Sequence, residues 1–110
     1  GQYAGNTIQG SNAIAMGFNA GYTGQGTDAI ALGQNAGADN QGNNAIAIGG
    51  EAGSSGQGAN SIVLNASGST LDGSTASSFF VNPIRGVAHG LGVGVLHYNA
   101  GTSEITYSTD

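Results

Sequence analysis

Chemistry in this chain would have to start from few side chains: two histidines, His89 and His97, six acidic residues, a single cation in Arg85, and no cysteine. Two imidazoles without an adjacent His-x-His pair are a thin ligand set. Only if three chains met on one axis would one histidine per chain build a site for zinc or a transition metal. The plainer reading is that His89 and His97 are strand or loop residues near a contact between chains. Asp28, Asp39 and Glu51 fall in turn segments of different repeats and read as solvated residues, with Asp28 standing where sister repeats carry asparagine. No nucleophile with its base and no paired carboxylate stands out, so no catalytic residue is assigned and the chain is not read as an enzyme. No cofactor or metal is expected. Gly90-Leu91-Gly92-Val93-Gly94 lacks the lysine and the spacing of a phosphate loop, and Asn65-Ala66-Ser67 matches a glycosylation sequon, a tripeptide common by chance. What remains are polar and aromatic turn residues, Asn19, Tyr22, Asn35 and Gln41, as candidates for contact with a sugar or a protein surface.

The elements that position them are set by a repeat. Asn12-Ala13-Ile14-Ala15-Met16-Gly17 recurs as Asp28-Ala29-Ile30-Ala31-Leu32-Gly33, as Asn44-Ala45-Ile46-Ala47-Ile48-Gly49 and, weakened, as Asn60-Ser61-Ile62-Val63-Leu64-Asn65, a period of 16. Gln-Gly precedes each copy and Ala-Gly lies between copies, so the whole unit repeats. Within a copy, strand alternation sends Ile14 and Met16 to one face and Ala13 and Ala15 to the other. A strand apolar on both faces reads as parallel sheet covered on both sides. One face can line the lumen of a thin coil, whereas the other needs a neighbouring copy of the chain. Ile14, Met16, Ile30, Leu32, Ile46, Ile48, Ile62 and Leu64 are therefore expected to form a core or inter-chain ladder. The ten residues between copies, rich in Gly, Asn, Thr and Gln, suit two turns around a second short strand. Four to five such coils at about 4.8 Å per layer make a block roughly 20–25 Å tall, with Gln9, Gln25, Gln41 and Gln57 stacked.

Composition narrows the partners. With 22 glycines and no tryptophan, the chain is poorly placed to fold alone, and oligomerisation is the expected remedy. A formal net charge of −5 argues against nucleic acid or an anionic membrane surface, since both are bound through basic patches. No apolar run approaches the roughly 20 residues that span a bilayer, so this segment is not expected to insert into a membrane. The repeat is already in phase at Ala4-Gly5, which suggests a piece of something longer.

Asn-Ala-Ile-Ala-Ile-Gly followed by Ala-Gly resembles the head repeat of trimeric autotransporter adhesins, the YadA-like head, over residues 4–65. That resemblance implies a left-handed parallel β-roll in each chain and three chains around one axis. Family repeats are commonly a little shorter than 16, and no coiled-coil stalk follows here. After Asn65 the array decays, residues 66–78 read as a Ser/Thr/Gly-rich connector, and residues 79–110 as a small β module. Within it, Val93–Tyr98 and Glu104–Ser108 flank a turn at 99–103 and predict a hairpin over 93–108. Phe79-Phe80-Val81-Asn82-Pro83-Ile84-Arg85 with this hairpin resembles the segment of phage and virus tail-fibre proteins that precedes a trimerising chaperone domain.

The expectation is thus an all-β, homotrimeric, left-handed parallel β-roll of 16-residue coils over residues 1–65, followed by a β module. Functionally it reads as an adhesive fibre segment on a cell surface, virion or phage tail, with a host-surface glycan or protein as receptor. The alternative is a passive spacer for a depolymerase or chaperone domain outside these residues.

Overall fold

A computed structural model describes residues 1–108, and within them an all-β chain. The strands run β1 (Thr7–Gln9), β2 (Ile14–Met16), β3 (Thr23–Gln25), β4 (Ile30–Leu32), β5 (Ile46–Ile48), β6 (Ile62–Asn65), β7 (Phe79–Asn82), β8 (Val95–Asn99) and β9 (Glu104–Ser108). The hexapeptide of each repeat supplies one strand of a parallel sheet ordered β2-β4-β5-β6-β7. Register follows the repeat, with Ile14 opposite Ile30, Ile30 opposite Ile46 and Ile46 opposite Ile62. The second short strand expected between copies is β1 paired with β3, and isolated bridges from Thr23 to Asp39 and on to Ser55 carry that column down the stack. The fold is a parallel β-solenoid.

A coil this short must reverse direction within a few residues, and left-handed backbone makes that possible. Asn12, Asp28, Asn44 and Asn60 have φ of 60°, 58°, 58° and 58°, an angle asparagine and aspartate tolerate better than other side chains. This is why each hexapeptide starts with one of them. Their side chains also stack, with Asn12 Nδ2 donating to Asp28 Oδ1 and Asn44 Nδ2 to Asn60 Oδ1, each at 3.1 Å. At the other end of the strand, Gly17 and Gly33 have φ of 125° and 128°, and a Cβ there would lie 2.7 Å from the backbone of the next coil.

The alanine face turns inward. Ala31, Ala47 and Val63 are fully buried, and with Ala20, Ala36 and Ala52 they form the core, flanked by Ala15, Leu71 and Phe80. Methyl groups largely suffice because the two walls of so thin a coil lie close together, and only the lower coils take in Val63, Leu71 and Phe80. Glutamine ties those walls together across the lumen. The Nε2 groups of Gln25, Gln41 and Gln57 donate to the carbonyls of Ile14, Ile30 and Ile46 at 2.7, 2.8 and 2.9 Å, each in the coil above. Two rungs join the glutamines themselves, Gln9 to Gln25 and Gln41 to Gln57, both at 3.1 Å. Gly21, Gly37 and Gly53, each at φ 54°, lie over these amides, where a Cβ would meet the glutamine side chain.

The roll continues beyond Asn65, where the sequence repeat decays. Leu71 bridges to Ala52, and β7 pairs in parallel with β6, so that Phe79, Phe80 and Val81 sit opposite Ile62, Val63 and Leu64. Residues 66–78, read from sequence as a connector, are therefore the turns of a fifth coil, and Phe79–Asn82, assigned to the C-terminal module, is its strand. The offset from β6 to β7 is one residue longer than the period, which is why the match to the repeat is lost while the stacking persists. The hairpin forms as expected, β8 antiparallel to β9, with Asn99 Oδ1 accepting from Gly101 N at 2.8 Å in the turn. Thr109 and Asp110, the end of the expected module, lie outside the described residues.

Because Ala31 is fully buried in the alanine core, Ala31→Leu is expected to destabilise the roll by about 1–3 kcal/mol through overpacking. Chemical denaturation monitored by far-ultraviolet circular dichroism checks this, and an unchanged midpoint would mean the alanine face does not line a filled lumen.

Candidate functional site

Writing the turns in 16-residue columns brings three side-chain columns onto one surface. Asn19, Asn35 and Glu51 form the first, Tyr22, Ala38 and Ser54 the second, and Asp39 and Ser55 extend the bridged column of Thr23. Members of all three line a shallow polar groove of about 390 Å³: Asn19, Tyr22, Asn35, Ala38, Asp39, Glu51, Ser54 and Ser55. The first column is again left-handed, with φ of 58°, 56° and 61° at Asn19, Asn35 and Glu51, which fixes where those side chains leave the backbone.

The groove is held from both sides. Asn35 Nδ2 donates to Glu51 Oε1 at 2.7 Å and Thr70 Oγ1 to Glu51 Oε2 at 3.3 Å, so this carboxylate is fixed by two coils. Below it, Asp72 Oδ1 accepts from Ser54 Oγ and from Ser55 N, both at 3.1 Å. At the upper end Tyr3 packs edge-on against Tyr22 and Phe18, with ring centroids 6.0 and 6.1 Å apart. Tyr22 keeps 36% of its surface open. A half-open ring beside amides, hydroxyls and two carboxylates offers a stacking platform and hydrogen bonds in both directions. With Asp39 and Glu51 in its wall and no cation among its lining residues, the groove disfavours anionic ligands.

Three of the four sequence-derived surface candidates, Asn19, Tyr22 and Asn35, thus share one groove. Gln41 does not join them. It is 2% exposed and belongs to the internal glutamine ladder, because its side chain points into the lumen. Sequence reasoning set Asp39 and Glu51 aside as separate solvated residues and did not single out Ser54 and Ser55. The signal was present in the 16-residue spacing of 19, 35 and 51 and of 23, 39 and 55. His89 lies in the exposed run after β7, and His97 on β8 pairs its Nε2 with Ser108 Oγ at 3.0 Å.

A second surface is apolar. The side chains opposite the lumen alanines point outward as a continuous ladder: Ile14, Met16, Ile48 and Ile62 are 50%, 65%, 40% and 38% exposed, and Phe79 and Val81 extend it at 53% and 38%. Ile30, Leu32, Ile46 and Leu64 on the same face are half-buried. Sequence left open which strand face lines the roll. The alanines do, and the isoleucines face out.

No protein-family model matches the chain, and no curated protein or solved structure matches it either. Of what the repeat's resemblance implies, the structure shows the coarse part, a β-solenoid of 16-residue coils.

Two substitutions separate surface from scaffold. Gln41→Ala removes the side-chain donor to the buried carbonyl of Ile30 and the strut it forms across the lumen, and is expected to cost about 0.5–1.5 kcal/mol of stability with any binding in the groove unchanged. Tyr22→Ala is expected to leave the melting temperature within a few degrees of the parent and, if the groove is a contact surface, to weaken what it binds roughly tenfold. Differential scanning calorimetry beside a glycan array distinguishes the two, and the reverse assignment would mean that the groove is not the contact surface.

Proposed function

We propose that this chain is an adhesive segment of a homotrimeric fibre displayed outside the cell, on a cell surface, a virion or a phage tail, and that it attaches multivalently to a host-surface glycan or protein. The observation that carries this reading is the outward ladder from Ile14 to Val81. Large apolar side chains stacked in a continuous strip on every coil are a contact surface and not an ordinary solvated face. Three as the number of chains comes from the resemblance of the hexapeptides to YadA-like head repeats.

In such an assembly the parallel backbone ladders run along the fibre and resist unravelling, since each coil is hydrogen-bonded to the next over its whole perimeter. Each chain carries one polar groove, so three copies face outward around the axis. A weak contact at each becomes useful attachment through effective concentration, without any one groove needing high affinity. The acidic wall directs the choice of ligand toward neutral or amino-bearing sugars and basic protein surfaces.

Light scattering or native mass spectrometry is expected to give three times the 10.6 kDa chain mass. Ile30→Asp, which puts one carboxylate per chain into the contact, is expected to abolish the trimer, because burying an unpaired charge costs several kcal/mol for each chain. A stable, well-folded monomer for the parent chain, or a trimer of Ile30→Asp that melts at the parent temperature, would contradict this reading.

A further inference from the structure

The C-terminal hairpin has a face that its own chain does not cover. Cross-strand register puts Leu96 opposite Tyr107 and Tyr98 opposite Ile105, so these four share one face while His97, Asn99, Glu104 and Thr106 share the other. Those four apolar and aromatic residues are 70%, 68%, 65% and 56% exposed in the order Leu96, Tyr107, Tyr98, Ile105. Among the described residues, no Cα of β8 or β9 comes within 8 Å of a Cα in any strand of the roll. A two-stranded hairpin standing alone is marginal in water, so this one needs a surface to pack on.

Its own roll offers only a gap. Leu96, Tyr98 and Ile105, with His97 at their edge, form one wall of a cleft of about 620 Å³ whose other wall is Ile62 and Phe79 at the lower end of the outward ladder, flanked by Asn60, Ser77 and Ser78. The apolar residues Ile62, Phe79, Leu96, Tyr98 and Ile105 are all substantially open to water. The tether does not confine the hairpin to this position. Residues 83–91 are exposed, Gly86, Gly90 and Gly92 have nothing within 4 Å of where a Cβ would sit, and the run 83–94 can span roughly 40 Å when extended.

We propose that the cleft is filled by a second copy of this chain, whose own Ile62–Phe79 ladder enters it, so that each hairpin clamps its neighbour and not its own roll. This rests on the assembly reading above and goes beyond it by assigning the hairpin as the clasp between chains. The occupant follows from area and continuity. Ladder and hairpin face together leave on the order of 1,000 Å² of apolar side chain open per chain, against about 800 Å² per partner in a stable complex. The cleft is also continuous with the ladder that the neighbouring chain would cover. A clasp of this kind makes the assembly self-locking at one end, since separating the chains requires three hairpins to release together.

The chain contains no cysteine, which makes a disulfide test clean. One chain carrying Phe79→Cys and another carrying Ile105→Cys would be refolded together, oxidised, and run on a denaturing gel with light scattering in parallel. The expected product is a covalent pair containing one chain of each kind, and the double variant with both substitutions is expected to give covalent dimers and trimers. Ser78→Cys with Leu96→Cys repeats the test at a second pair of cleft residues in case the first disturbs folding. A trimer whose double variants give only internally bridged single chains overturns the clasp and leaves the assembly reading standing. A monomer by scattering overturns both.

Discussion

The narrow lumen is the constraint on which the rest of the roll depends. Sixteen residues make a thin coil whose lumen is filled mainly by facing alanine methyl groups, so the inward column is Ala15, Ala31 and Ala47 until the lowest coils admit Val63 and Phe80. Filling the lumen with methyl groups stabilises each coil little, because a buried methyl removes far less apolar area from water than a leucine does. The larger side chains of the same strands are placed on the opposite face, where one chain leaves them partly wet. On the proposed reading, fold and assembly are in this way two sides of one strand.

Polar groups complete what alanine cannot. Glutamines span the lumen and satisfy carbonyls of the facing wall, and asparagines and glycines at left-handed φ turn the backbone at the corners of each coil. Both devices repeat because their neighbours above and below are copies of themselves. Where the ladder is imperfect the effect is local: Gln41 Oε1 has no partner, while its Nε2 is shared between Ile30 O and Gln57 Oε1. The groove on the outside follows from the same regularity, since three columns of turn residues arrive on one surface at fixed spacing.

Most of the fold was legible because the sequence states its period openly. Asn12, Asp28, Asn44 and Asn60 mark the start of each strand, and alternation predicts its two faces. What alternation cannot decide is which face goes inside when both are apolar; side-chain volume against lumen width decides that, and it favours Ala31 over Ile30. The fifth coil was hidden by a change of one residue in spacing and by Phe79-Phe80 replacing the usual hexapeptide, although the backbone ladder tolerates both. Gln41 was misplaced on the surface for a related reason. A glutamine reads as solvent-facing by composition, whereas here its amide is the strut between two walls. The groove was half legible, since Asn19, Tyr22 and Asn35 were recognised singly and their partners Asp39 and Glu51 only emerge when coils are stacked.

The central claim is that the outward ladder is covered by other copies of the chain, and thiol labelling of single-cysteine variants tests it most directly. Ile48 is 40% exposed in one chain, its neighbour Ala47 is fully buried, and Asn43 is exposed. The account predicts that Ile48→Cys in the assembled protein reacts nearly as slowly as Ala47→Cys and far more slowly than Asn43→Cys. Labelling of Ile48→Cys at the rate of Asn43→Cys would show the ladder open to solvent and contradict it.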